Sequence, residues 1–109
     1  MQNPEELQFR HTVDGALKKL MLQVDQLDTD DIDARLTEGV FVVEFESGGT
    51  FVLSQQVPLR ELWLSAFSRA WHFSLRAEGW RERDTNEALE SVLASIFSRK
   101  LGRPVSFRA

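Results

Sequence analysis

Between Asp25 and Asp33 the chain carries five aspartates, Asp25, Asp28, Asp30, Asp31 and Asp33, with Leu27 and Ile32 threaded among them. Carboxylates at this density can do chemistry in two ways. They can offer oxygen ligands to hard cations such as magnesium, calcium, manganese or oxidised iron. They can also present a negative surface to a basic partner. A calcium loop is excluded by spacing: counted from Asp28, the third ligand position is Ile32 and the obligatory glycine position is Asp33. A cation site here is therefore expected to be shallow, made of carboxylates alone, and weak. The competing reading is a solvated corner between a helix and a strand.

The second group with binding potential is aromatic. Alternation along Leu59–Ser65 turns Leu62 and Leu64 to one side and Glu61 and Trp63 to the other, with Val42, Val52, Gln56 and His72 as expected neighbours. A tryptophan on the outer face of a sheet is either covered by a loop or the C-terminal tail, or serves as an anchor for a partner. If it is exposed, its loss should cost the fold no more than about 0.5 kcal/mol. Ser54 and Gln56, at the end of the adjoining strand, are its expected polar neighbours. Glu44 and Glu46 belong to the same outward side. His11 and His72 are the only histidines and form no ligand pair. There is no cysteine, which removes disulfides, thiolate metal sites and a cysteine nucleophile. No glycine-rich phosphate loop follows a strand. Nothing in these motifs calls for an enzyme.

Charge reinforces the asymmetry. Residues 1–33 carry eight acids and three bases, a balance of −5, whereas the rest of the chain stands at +1, for a net −4. Nucleic acid is disfavoured as a partner, since binding it depends on neutralising phosphates. No apolar run is long enough to span a membrane. The opening residues resemble neither a signal nor a transit peptide, so a cytoplasmic protein is expected.

The elements that must hold these groups follow from periodicity. Phe9, Val13, Leu17, Leu20, Val24 and Leu27 recur at steps of three and four, predicting a helix over 4–26 opened by Pro4, Glu5 and Glu6. The period then shortens to two. A weak strand around 32–36 is followed by VFVVEFES with Phe41, Val43 and Phe45 inward and by an SGG turn. TFVLSQ then places Phe51 and Leu53 inward, and Pro58 interrupts. LRELWLS and AWHFSLR follow, the latter with Trp71, Phe73 and Leu75 inward, and a short piece around Trp80–Glu82 closes the series. Asp84, with Glu87 three residues on, is expected to cap a second helix striped by Leu89, Val92, Leu93, Ile96, Phe97 and Leu101 and ended by Gly102 and Pro104. The fold class is α+β: a single domain over 1–109, in the order helix, five or six strands, helix. It is a two-layer sandwich with both helices on one face of an antiparallel sheet.

The stretch FESGGTFVLSQQVPLRELWLSAFSRAWHF resembles the frataxin family, in particular its bacterial CyaY branch. The residues carrying the likeness are Gln56, Pro58, Leu62, Trp63, Leu64, Ser65 and Trp71-His72-Phe73, supported by Asp31-Ile32-Asp33, Trp80 and the closing Pro-Val-Ser-Phe. Ser54 stands where the family has asparagine, Arg69 and Ala70 where it has glycines, and Lys18 and Lys19 thin the acidic ridge of the first helix. The resemblance implies weak iron (Fe2+/Fe3+) binding through Asp25, Asp28, Asp30, Asp31 and Asp33. It also implies a regulatory role in iron–sulfur cluster assembly, through contact with the cysteine desulfurase and its scaffold complex. Trp63, Gln56, Ser54, Glu44 and Glu46 are the expected partner surface, and the protein is expected to be a monomer, with iron-driven oligomers as a variant. Two alternatives accompany this reading: an interaction module of the same machinery without useful iron affinity, and a ferroxidase-like iron-oxidising or storage protein. The latter lacks any Glu-x-x-His di-iron constellation.

Overall fold

The structure, a computed structural model, describes residues 3–27 and 29–109. Asn3 opens the first helix, its side-chain oxygen accepting the Glu5 N–H at 2.7 Å, and α1 runs over Pro4–Asp25. Its buried stripe is the expected one, Phe9, Val13, Leu17, Leu20 and Val24. Six strands follow: β1 (Ile32–Thr37), β2 (Val40–Phe45), β3 (Thr50–Gln56), β4 (Glu61–Ala66), β5 (Arg69–Arg76) and β6 (Gly79–Glu82). A 3-10 turn at Val57–Leu59, built around Pro58, separates β3 from β4. The second helix, α2, spans Leu89–Leu101 and stops at Gly102, whose left-handed backbone (φ 68°) ends the turn.

All strands pair antiparallel in sequence order, so the sheet is a simple meander. Short hairpins permit this, since no parallel crossover is needed. Alternation sorts the faces. Phe41, Val43, Phe45, Phe51, Leu53, Leu62, Leu64, Trp71, Phe73 and Trp80 turn inward and form one core with the stripes of both helices. Phe97 ties the layers together, meeting Phe45 (5.8 Å), Phe51 (5.4 Å) and Phe107 (5.0 Å) edge to face. Val105 and Phe107 are buried with this core, and the Gln23 side chain pairs with the Arg108 backbone in both directions. The tail therefore lies on the helix side and does not cover Trp63.

Two expectations change. Leu75 lies on the inward face yet is 51% exposed, because it sits beyond the cover of the helices at the end of β5. Asp84 does not cap α2, whose N-cap is Ala88. Instead the buried Glu82 carboxylate accepts the N–H groups of Asp84 (2.7 Å) and Thr85 (3.1 Å), and Asn86 adopts φ 63°. The chain turns through residues 83–85 and comes back to an isolated bridge between Arg81 and Ala88 just before the helix starts. The turn between β4 and β5 is built without glycine. Phe67 (φ 52°) and Ser68 (φ 59°) take left-handed backbone, with Phe67 edge to face against Phe51 and the Arg99 guanidinium over its ring.

Candidate functional site

The acidic corner is assembled by the β1–β2 hairpin and the turn that follows it. Register places Asp33 opposite Glu44 and Ile32 opposite Phe45. With a period of two, Asp31 and Asp33 on one strand and Glu44 and Glu46 on the other face the same way, away from the helices. Asp30, Asp31, Asp33, Glu44 and Glu46 line one open cleft of about 270 Å³, floored by Ile32 and Phe45. Glu44 and Glu46, separated from the aspartates by more than ten residues of sequence, thus belong to the same site.

These carboxylates are not equivalent. Asp31 accepts the Ser47 N–H at 3.1 Å, and its carbonyl accepts that of Glu46 at 2.8 Å, so it clamps the β2–β3 turn. Glu44 is ion-paired with Arg35 across the strands. Asp30, Asp33 and Glu46 are exposed. Asp25 ends α1 and does not line the cleft. With no basic residue in the last turn, it adds its charge to the negative end of the helix dipole. Asp28 lies outside the described residues. Among the described residues no three His, Asp or Glu side chains are grouped as a metal cage. The arrangement suits a hydrated cation held by separate carboxylate oxygens.

The outer face of the sheet carries a second arrangement. Trp63 faces Ser54 on β3 and His72 on β5. It is half-buried and rigidly held: its ring meets His72 edge to face at 4.5 Å, and its indole N–H donates to Glu61 at 3.0 Å. Glu61 is itself buried on this outward face, accepting also from the Ser74 hydroxyl (3.2 Å) and the Arg83 guanidinium (3.3 Å). Gln56 pairs with Glu61 in the register and donates to Ser54 at 3.4 Å. The tryptophan is neither covered by the tail nor fully exposed. A single carboxylate gathers donors from three strands or their flanks and fixes the indole. Glu44 and Trp63 stand two strands and four residues apart in register, roughly 16 Å, so the acidic corner and the aromatic patch share one face.

A family model for the frataxin-like domain matches residues 2–103. The chain belongs to the frataxin-like family. It is 36% identical over 104 residues to the iron-sulfur cluster assembly protein CyaY of Pseudomonas fluorescens, the match covering 94% of each chain. Its fold superposes on frataxin from Psychromonas ingrahamii with a TM-score of 0.87 at 17% identity, over 95% of this chain and 98% of that one. The trimeric frataxin of the yeast Saccharomyces cerevisiae, complexed with ferrous iron, matches with a TM-score of 0.74 at 24% identity, over 94% and 91% of the two chains.

Within this frataxin-like chain the residues that depart from the family pattern have visible consequences. Lys18 pairs with Asp14 one turn earlier at 2.9 Å, cancelling an acid on α1. Ser54 stands opposite Trp63 in the register, and the indole N–H donates to Glu61. Among the described residues, no helix is long and apolar enough to cross a membrane.

Proposed function

We propose that this frataxin-like protein binds iron weakly at the β1–β2 corner and modulates iron–sulfur cluster assembly by docking on the cysteine desulfurase and its scaffold complex. The observation that supports this most directly is the convergence of Asp30, Asp31, Asp33, Glu44 and Glu46 on one open cleft. Five oxygen-donor side chains around exposed, wet space fit a hard cation bound by a few monodentate contacts. They equally fit the basic groups of a protein partner. The likeness to a CyaY named for iron–sulfur cluster assembly favours that machinery as the partner. Trp63, held in place by Glu61 and His72, supplies the rigid aromatic anchor on the same face, with Ser54 and Gln56 beside it.

A second reading, an interaction module without useful iron affinity, is favoured by the Arg35–Glu44 pair and the engaged Asp31, which leave fewer carboxylates free for a cation. Co-purification from a native lysate tests both. Recovery of the desulfurase, released by raising ionic strength from about 0.05 to about 0.5 M, supports docking through the acidic face. Dependence of that recovery on added iron separates the first reading from the second. Failure to recover it at low salt would remove the desulfurase from the proposal.

A further inference from the structure

A second cleft, more spacious than the acidic one, lies by β6, at the other edge of the sheet from the acidic corner, and has no part in the reading above. It is a cleft of about 420 Å³ between α1, the start of α2, the end of the tail and β6, with Leu20, Trp80 and Leu89 among its apolar walls. Along α1 its wall is formed by His11, Gly15 and Lys19, one helical turn apart each, with Ala16 beside them. Gly15 is the notable member. In a helix interior glycine weakens the helix relative to alanine. Here its backbone is not left-handed, and a Cβ built on it would meet nothing within 4 Å. Neither strain nor crowding requires it. Its effect on the molecule is to deepen the cleft.

The polar rim gives the cleft a chemical preference. Lys19 and Arg108 line it, and neither makes an ion pair among the described residues; His11 lies with them. Glu90 is the one acidic side chain of the wall. Two basic side chains against one acidic one leave the rim positive. The double hydrogen bond between Gln23 and the Arg108 backbone holds the tail so that Arg108 stays beside α1. We infer that this cleft is a binding site for a small amphipathic carboxylate, its apolar body against Trp80 and Leu20 and its charge at Lys19 and Arg108. The volume matches that of small-molecule sites in general.

The test uses a charge-matched series on the full chain: 2-naphthoate, the neutral 2-naphthylmethanol and the cationic 2-naphthylmethylamine. Amide shifts of Ala16, Gly79 and Trp80 are followed. The expected result is saturable binding at these residues, with naphthoate tightest. Lys19→Ala with Arg108→Ala should weaken naphthoate about ten-fold, the loss of charge-assisted contacts, while leaving the alcohol unchanged. Gly15→Leu should abolish binding of all three, and Gly15→Ala, which adds one methyl in open space, controls for folding. Absence of saturable shifts in the cleft, amine binding as tight as naphthoate, or naphthoate binding unaffected by Gly15→Leu would each overturn the proposal. None of these outcomes touches desulfurase docking.

Discussion

Replacing Trp63 by alanine should now do two measurable things. The indole makes one hydrogen bond to the buried Glu61 and one edge-to-face contact with His72. A hydrogen bond is worth about 1 kcal/mol net, and an aromatic pair adds about 0.5–1.5 kcal/mol. Solvent can rehydrate part of the exposed Glu61 edge in the variant, and Ser74 and Arg83 continue to donate to it. A loss of about 1–2 kcal/mol follows, larger than that of an ordinary surface change. Urea denaturation followed by circular dichroism measures it, and Trp63→Phe divides it, keeping a ring against His72 while deleting the indole N–H. Affinity for the assembly complex should fall by a further 2 kcal/mol or so if the ring is an anchor. A stability loss below about 0.5 kcal/mol would mean that the Glu61 and His72 contacts do not hold the ring in solution. A loss above about 4 kcal/mol would place the tryptophan in the core and refute the strand register argued for β4.

Other outcomes can be checked alongside. Burial alone would raise the Glu82 pKa, but the N–H groups of His72, Asp84 and Thr85, and the positive charge of His72, outweigh it and hold the carboxyl below its ordinary value. A lowered folded pKa stabilises the native state at neutral pH and ceases to do so as pH falls through it. The stability gap between wild type and Glu82→Gln should therefore be full above about pH 5 and close on acidification below the ordinary glutamate value of about 4.3, as thermal melts across pH would show. Arg35→Gln frees Glu44 at a cost of no more than about 1 kcal/mol, since the pair is exposed. It should tighten binding of a trivalent lanthanide at residues 30–33 and 44–46, read by amide shifts; unchanged affinity would mean that Glu44 takes no part. Ser68→Gly relieves a left-handed non-glycine residue and should stabilise the fold by about 1 kcal/mol, raising the melting temperature by roughly 5 °C. A drop would show that the turn relies on the serine side chain.

Most of the fold is readable from periodicity alone, because both helices and five of the strands bury one face against a single core. The stripe from Phe9 to Val24 and that from Leu89 to Phe97 are the buried residues of α1 and α2. What local spacing misleads about is where a side chain finds a distant partner. Asp84 and Glu87 have the spacing of a cap, yet Glu82 captures the amides first, from a strand whose inward position a charged residue seldom takes. Leu75 has the right face but no helix above it. Trp63 and Glu61 share a face by alternation, and that signal was present, but Arg83 reaches them only through the β5–β6 hairpin. Likewise the association of Asp31 and Asp33 with Glu44 and Glu46 depends on hairpin register, which no single segment contains.

The carboxylates of this chain divide by what already occupies them. Glu61 and Glu82 are buried and spend their lone pairs on fixing Trp63 and the β6–α2 turn. Asp31 is partly engaged by Ser47, and Glu44 by Arg35. Asp30, Asp33 and Glu46 remain the most available at the corner. On the proposed reading, three free carboxylates with a few neighbours in exchange must serve both a cation and the basic groups of a partner. Both ligands neutralise the same charge, so binding of one weakens the other by the same factor, as linkage requires. Iron occupancy would then loosen the electrostatic part of docking while leaving the Trp63 contact intact. On that reading, such a division would give this protein a graded response to iron without a conformational change: the aromatic anchor would set the residual affinity, and the occupancy of the corner the salt-sensitive remainder.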